Sequence, residues 1–372
     1  MKKSTLLCMA TGLIGITSVT QAADYSKYFS MEAKGFKRFS VSVGALHVMP
    51  QGKAQPFKVN TIVAEGETSN VGNVATADII ENRENDKINL ANIIVNFLNS
   101  IKKDSTLPSS LSGTADIYGL SYWDNPGTGL EADDVTTLGI MSNYFFTDNI
   151  SFEMKAGIPP KVDLQGTGKI YAPFSAISSP TGSTILGKID LKNDLLITDL
   201  SAHGPAASAR AWTPAFEFQY HFGKTGVNKF RPYVGVGLMY AYFNELEINS
   251  RTEQDLIKAG HMIANIKDGE AGKALGISTL APDAAVPSNL ASNGSTPKVK
   301  VEASDTFAPV ATLGFTYDLN DKWFAVGSVS YAHLKNDTTI TVSNDTYGTL
   351  ITSKADIEVN PVIAYAGIGM RF

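Results

Sequence analysis

Eight segments of this chain place apolar side chains at every second position, and that period of two is the pattern of a β-strand. Residues 150–158 (ISFEMKAGI) and 214–222 (PAFEFQYHF) show it most clearly, because apolar and polar residues alternate almost without exception. In a membrane barrel, one face of each strand meets lipid and the other meets the lumen. The segment that starts near Trp323 is apolar on both faces, so the pattern leaves its register open.

The connections between these segments alternate in length. Three short connections carry turn residues, at 147–149, 223–228 and 320–322. The long connections cover about 51–134, 159–213, 244–305 and 335–355. Bacterial outer-membrane barrels have short periplasmic turns and long extracellular loops. We therefore predict an all-β fold, an eight-stranded antiparallel transmembrane β-barrel with long extracellular loops that contain short helices. A soluble sandwich would also alternate, but it would not need this one-sided asymmetry.

The first 22 residues are typical of a cleavable secretory signal. Lys2 and Lys3 precede an apolar run, and small residues precede a cut expected after Ala22. Cleavage leaves residues 23–372 as the barrel and removes Cys8, the single cysteine. It also leaves 29 basic residues against 36 acidic ones, a net charge of −7. A net acidic chain without a basic tract argues against nucleic acid as a partner.

Five stretches of the sequence resemble the outer membrane protein W family. They are Val43–Pro50, Tyr144–Ile150, Gln219–Phe222, Phe230–Gly237 and Ala366–Phe372. The resemblance implies a barrel in the outer membrane of a Gram-negative bacterium, in contact with its lipid, that passes small hydrophobic molecules and releases them sideways through its wall. We expect a monomer. The family is usually much shorter, and its pattern does not account for the expanded loops.

The last residue, Phe372, is an aromatic side chain preceded by apolar residues at alternate positions. Such an ending resembles the assembly signal of outer-membrane barrels. The resemblance therefore implies that the barrel-assembly machinery is a partner of this chain.

The same alternation predicts which side chains face the lumen. Toward the extracellular end they are mainly apolar, and toward the periplasmic end they are polar or charged. The apolar upper lumen comprises Leu46, Val48, Met239, Val310, Ile363 and Tyr365. The polar lower lumen comprises Glu153, Glu217, Gln219, His221, Arg231 and Arg371. Eight strands leave little more room than their own side chains fill, so a solid lower half remains an alternative to a passage.

Prolines mark one seam of the predicted wall. Pro159 and Pro160 end the third strand, and Pro214 opens the fourth. Because proline cannot donate a hydrogen bond to a β-ladder, we hypothesise a lateral opening between these strands near the outer leaflet. The alternative function is a structural or surface-recognition barrel with a closed lumen, whose long loops bind a partner.

No motif points to catalysis, a cofactor or a metal. Gly235–Gly237 lacks the third glycine and the helix of a dinucleotide loop, and the five histidines lack metal-ligand spacing. We therefore expect no enzyme activity and no cofactor. Two loop segments have helical periodicity, 88–101 and 251–267. We expect the apolar face of the first to pack against other loops, with collection of an apolar ligand as the alternative.

Overall fold

The computed structural model describes residues 37–84, 89–102, 105–202, 204–282 and 284–372. The expected signal peptide, residues 1–22, lies outside the described residues, as does Cys8. Eight of the described strands close into an antiparallel barrel, in which neighbours in sequence pair and the last strand pairs with the first. They are β1 (Phe39–Met49), β2 (Val135–Phe145), β3 (Ile150–Gly157), β4 (Ala215–His221), β5 (Phe230–Ile248), β6 (Thr306–Asp318), β7 (Trp323–Ala332) and β8 (Val362–Arg371). The predicted eight-stranded barrel is confirmed.

The alternation along each strand produces the two faces of this wall. On the outer face, Phe218 and Leu313 are 58% and 68% exposed. Their sequence neighbours Glu217 and Thr312 point inward and are buried. An apolar outer face is stable only against hydrocarbon, and the inward polar residues must find partners in the lumen.

The register of β7 is set by its neighbours, because its own sequence is apolar on both sides. Trp323 pairs with Met370 of β8, and Leu313 of β6 pairs with Val329. These pairs turn Trp323 and Val329 outward, and they leave Phe324 buried in the lumen.

The long connections fold into β-sheets at the end of the barrel opposite the short turns. Strand β5 runs beyond the barrel and pairs with Pro205–Trp212, which pairs with Lys161–Thr167 and then Gly129–Ala132. Three further sheets are separate from the wall. One contains Ile189–Asp199, Lys169–Ser179, Thr114–Tyr118 and Glu67–Asn70 in spatial order. The second contains Lys298–Ala303, Lys335–Asn344, Gly348–Glu358, Phe57–Thr61 and Tyr122–Asn125, and the third pairs Val74–Ala75 with Thr106–Leu107. We call these segments, with the helices between them, the extracellular domain.

Six helices belong to the described part of this domain. They are α1 (Thr76–Asn82), α2 (Leu90–Ile101), α3 (Ser109–Ser112), α4 (Ser183–Leu186), α5 (Ser250–Lys267) and α6 (Ala271–Ser278). Helix α5 is buried from Lys258 to Ile266 and packs against the four-stranded and the five-stranded sheets. Its side chains and those of the sheets form one large hydrophobic core. No helix in the described ranges is both long enough and apolar enough to cross a membrane.

Helix α2 differs from the expectation that its apolar face packs against other loops. Ala91, Asn92 and Val95 are buried, whereas Phe97 and Ile101 are 60% and 67% exposed. The helix therefore contacts the domain through a narrow stripe made of these three side chains and the partly buried Leu98. Its wide apolar face lies on the surface.

Arginine at an outward position in the middle of the wall should destabilise the barrel. The change Leu313→Arg should cost about 2–4 kcal/mol, because a guanidinium at the bilayer midplane loses its hydration. Leu319→Arg is the matched control, since Leu319 is also exposed but follows the end of β6 near the periplasmic interface. There the cost should be about 0–1 kcal/mol. Urea unfolding of both variants in liposomes measures the difference, and equal costs would contradict the assigned depth.

Acidification should loosen the extracellular domain at His261. The imidazole is buried in α5, and its Nδ1 atom accepts a hydrogen bond from the Ser292 backbone N–H at 3.2 Å. Burial lowers the pKa of His261 below its ordinary value of 6.5. The unfolded chain therefore binds this proton more readily, so the stabilising contribution is present above pH 6.5 and is lost as pH falls.

Hydrogen exchange of the α5 amides between pH 7.5 and pH 5 tests this dependence, after correction for the intrinsic rate. Protection should decrease on acidification in the native chain. It should change less in His261→Gln, which cannot take up the proton.

Candidate functional site

The upper half of the barrel contains a cavity enclosing about 630 Å³, part of it open to solvent. All eight barrel strands contribute residues to its wall, because each strand turns every second side chain inward. All six residues of the predicted apolar upper lumen line it: Leu46, Val48, Met239, Val310, Ile363 and Tyr365. The cavity wall is therefore mainly aliphatic, and an apolar solute that enters it contacts apolar side chains in place of water.

One side of this cavity is the seam between β3 and β4. The ladder between these strands ends at the pair Lys155–Ala215. Pairing resumes only at Lys161–Arg210, beyond the barrel, and the Ala211 N–H donates to the Pro160 carbonyl at 3.0 Å. Residues 156–159 therefore lie outside the β3–β4 ladder. The residues of this interruption and the adjoining Pro160 line the cavity.

The neighbouring seam between β4 and β5 stays paired at the same height. Ala215 pairs with Met239, the Pro214 carbonyl accepts the Tyr240 N–H at 2.9 Å, and Trp212 pairs with Tyr242. Pro214 thus contributes a carbonyl to the intact seam and is not part of the cavity lining. The interruption is confined to the β3 side of β4.

A buried ion cluster forms the floor of the cavity. The Lys155 ammonium lies 2.7 Å from Glu217 and 3.4 Å from Glu153, and the two glutamates are register partners on β3 and β4. It also donates to the hydroxyls of Thr312 and Ser330, at 2.9 and 3.1 Å. All three charged side chains are at least 90% buried. The cluster ties β3 and β4 to β6 and β7 across the full width of the lumen.

Below this floor lies a separate, smaller cavity of about 290 Å³. Glu153, Gln219, His221 and Arg371 line it, and it shares no lining residue with the upper cavity. Gln219 accepts a hydrogen bond from the Asn143 amide at 2.9 Å. The lower lumen is thus a network of hydrogen-bonded polar groups.

Two arginines complete the network at the periplasmic end. Arg231 donates to the Thr225 hydroxyl at 2.6 Å and to the Asp148 carbonyl at 2.5 Å. Arg371 pairs with Asp318 at 2.5 Å and lies 4.4 Å above the ring of Phe324. Both guanidiniums therefore bind acceptors in the short turns or beside them, and they narrow the exit from the lumen.

The last strand is anchored at its end. The Phe372 N–H donates to the Phe39 carbonyl at 2.8 Å, and the two rings lie 6.3 Å apart on the outer face. This places the terminal aromatic ring at the periplasmic edge of the seam between β1 and β8.

Lys155 is the important residue that the sequence reasoning did not select for the lumen. The alternation did place it on the inward face of β3, two residues from Glu153. The spacing of Glu153 and Lys155 could have indicated an ion pair in the lumen, because a cation and an anion at positions i and i+2 of a strand lie on the same face. The described residues hold no group of three or more metal-binding side chains.

Comparison with known proteins gives one matching family model, that of the OmpW family, over residues 110–269 and 288–372. Outer membrane protein W of Vibrio cholerae serotype O1 is 27% identical over 248 residues, which are 67% of this chain and 79% of that protein.

Two solved structures are also similar. The crystal structure of outer membrane protein OprG from Pseudomonas aeruginosa is 15% identical and has a TM-score of 0.45, covering 91% of this chain and 97% of that one. The solution structure of outer membrane protein W of E. coli is 16% identical with a TM-score of 0.32, covering 91% and 100%.

Proposed function

This chain belongs to the OmpW family and lies in the cell outer membrane, and on that premise we propose that it passes small hydrophobic molecules from the cell surface into the membrane. The observation that carries the proposal is the upper cavity, which is lined mainly by aliphatic side chains and bounded by the interrupted seam between β3 and β4. A solute enters this cavity because apolar surface is transferred out of water.

The floor of the cavity directs the solute sideways. Passage straight down would displace Lys155 from its two glutamates, and separating buried ion partners is costly. An apolar molecule in the lower lumen could not replace the hydrogen bonds of the polar side chains there, so its passage would cost free energy. Release between β3 and β4, at Pro159 and Pro160, avoids both costs, because residues 156–159 leave few ladder hydrogen bonds to break.

Uptake into proteoliposomes tests the proposal. We expect a monoaromatic hydrocarbon to enter faster than in protein-free vesicles, and a hydrophilic solute of equal size to show no such increase. Val310→Trp should fill the cavity and remove the effect. Val329→Trp, an outward change on the adjacent strand, is the control that should retain it. Equal rates for both solutes would instead indicate a water-filled pore.

A second candidate is a surface-recognition barrel, and the apolar face of α2 favours it. Phe97 and Ile101 project from the extracellular domain into solvent, where a partner could cover them. In that case the Val310→Trp variant would leave the function unchanged, whereas polar substitutions on α2 would abolish it.

The remaining predictions on partners and chemistry stay predictions. They are a monomeric state, recognition of Phe372 by the barrel-assembly machinery, and the absence of enzyme activity. Deletion of Phe372 should lower the amount of assembled barrel if that side chain is read during insertion.

A further inference from the structure

One side chain holds the upper rim of the interrupted seam. Arg210 lies on the strand Pro205–Trp212, which precedes β4 and extends above the barrel. Its Nη1 atom donates a hydrogen bond to the Pro159 carbonyl at 3.0 Å, and its Nε atom donates to the Glu245 carboxylate at 2.8 Å. A single guanidinium therefore joins the last residue of the interruption to β5.

The segment 156–159 is otherwise fixed on its β2 side. The Ile158 N–H donates to the Leu138 carbonyl of β2 at 2.9 Å, and the Ile158 carbonyl accepts the Thr137 hydroxyl at 2.7 Å. Toward β4 the ladder has ended, and residues 156–158 are all exposed. Because successive side chains of a strand point to opposite faces, three exposed neighbours indicate an edge that the next strand does not cover.

The bond from Arg210 to Pro159 closes the upper end of this gap. Above the last ladder pair of β3 and β4, it is the first hydrogen bond across the seam that the described residues show. The next is the bond from the Ala211 N–H to the Pro160 carbonyl at 3.0 Å. The gap therefore widens upward when the bond of Arg210 breaks, and the bond of Ala211 breaks after it.

The backbone of Glu245 is strained in a way that serves this contact. Its φ of 49° lies in the left-handed region, which few residues other than glycine adopt. Arg210 pairs with Asn244 and Ser208 with Glu247, so Glu245 belongs to a β-bulge. Glycine would fit this bulge without strain. The glutamate instead supplies a carboxylate to Arg210, and strained residues of this kind cluster at clamps and switch regions.

The ion pair is weak enough to open repeatedly. The side chains of Arg210 and Glu245 are 37% and 59% exposed. An ion pair between partly exposed side chains contributes little to stability and is screened by salt. The contact therefore holds the rim in place on average without locking it.

We propose that Arg210, oriented by Glu245, is the latch of the lateral exit: it positions the edge of β3 at Pro159 and sets how often the seam opens to the lipid. Arg210 is a positioning residue, because it lies outside the cavity lining. The latch is a property of the seam itself, and only its effect on solute release rests on the proposed function.

Hydrogen exchange of single amides, measured by NMR on the full chain in lipid nanodiscs, tests the latch. Arg210→Gln should speed exchange of the Ala211 N–H about two- to fivefold, the change expected for loss of an exposed ion pair. The Tyr240 N–H, which bonds across the intact seam between β4 and β5, is the internal reference and should not change.

Lys161→Gln is the matched control. Lys161 is the register partner of Arg210, and among the described residues its ammonium hydrogen-bonds to Glu247 alone. This pair is exposed as well, so its loss removes a similar ion pair without touching the rim. Exchange at Ala211 should stay as in the native chain.

Two further measurements distinguish a latch from a general loss of stability. Glu245→Gly removes the carboxylate and relieves the backbone strain, so it should speed exchange at Ala211 without lowering the urea midpoint of unfolding. Raising NaCl from about 20 mM to about 500 mM should speed this exchange in the native chain and have no effect in Arg210→Gln. Exchange that is unchanged in both variants would overturn the proposal.

Uptake into proteoliposomes separates the latch from the proposed function. Arg210→Gln should take up a monoaromatic hydrocarbon about two- to fivefold faster than the native chain, since the exit opens more often. A native chain without any uptake would contradict the proposed function, while the exchange result still decides the latch. Faster exchange in Arg210→Gln with the native rate of uptake would overturn the role of this latch in release.

Discussion

Crosslinking β3 to β4 at the interrupted seam should reduce uptake of apolar solutes to the level of protein-free vesicles. The variant carries Ile158→Cys and Thr213→Cys, which lie on opposite sides of the interruption and both line the cavity. A short, reducible bifunctional thiol reagent joins them. If solutes leave between these strands, the crosslink closes the exit, and reduction of the reagent should restore uptake.

The control crosslink joins two strands that are already hydrogen-bonded. Leu313 and Val329 are register partners on β6 and β7, and both side chains point outward. Cysteines at these two positions, joined by the same reagent, should leave uptake unchanged. Continued uptake with the Ile158–Thr213 link fully formed would rule out release at this seam and favour a passage along the axis.

Lys155→Met should destabilise the barrel by about 3–5 kcal/mol, because it leaves Glu153 and Glu217 buried and without their cation. The Lys155 ammonium joins the two glutamates on β3 and β4 to Thr312 on the opposite side of the lumen. Among the described residues, no other buried ion pair spans the lumen at this height. Urea unfolding in liposomes measures the loss. The combined change Lys155→Met, Glu153→Gln and Glu217→Gln should recover most of it, since no charge is then left unpaired.

Lys161→Met is the control, in the next strand along the chain, which belongs to the extracellular domain. Lys161 pairs with Glu247 at 2.7 Å, but both side chains are more than half exposed. An exposed ion pair contributes only about 0–1 kcal/mol, so this variant should unfold almost as the native chain does. Similar losses in the two lysine variants would contradict the prediction that burial makes the Lys155 ion cluster important for the stability of the barrel.

The barrel could be predicted because its signals are local. Each strand alternates on its own, as Phe216, Phe218 and Tyr220 do in β4, and each short turn carries its own turn residues. Antiparallel neighbours in sequence then pair in the simplest order. The family resemblance added the outer membrane as location, and both the family and the location are confirmed.

The extracellular domain could not be predicted from the same signals. Its five-stranded sheet pairs Phe57–Thr61 with Gly348–Glu358, nearly 300 residues away in the chain. Its strands are buried by α5 and by one another, so short apolar runs there do not reveal their partners. For helix α2 the local pattern was clear, but the prediction from it was wrong. Its apolar face was expected to be buried, and most of that face is exposed.

The sequence by itself determined the strand number and the direction of the side chains in seven of the eight strands, and it predicted an apolar and a polar half of the lumen, since period-two alternation depends only on neighbouring residues. Only the tertiary structure decided that Lys155 lies between two glutamates, that β3 and β4 separate beside the cavity, and that the loops form a hydrophobic core of their own. These features depend on the register between strands and on packing between distant segments. Both are set by contacts across the fold, which no single stretch of sequence contains.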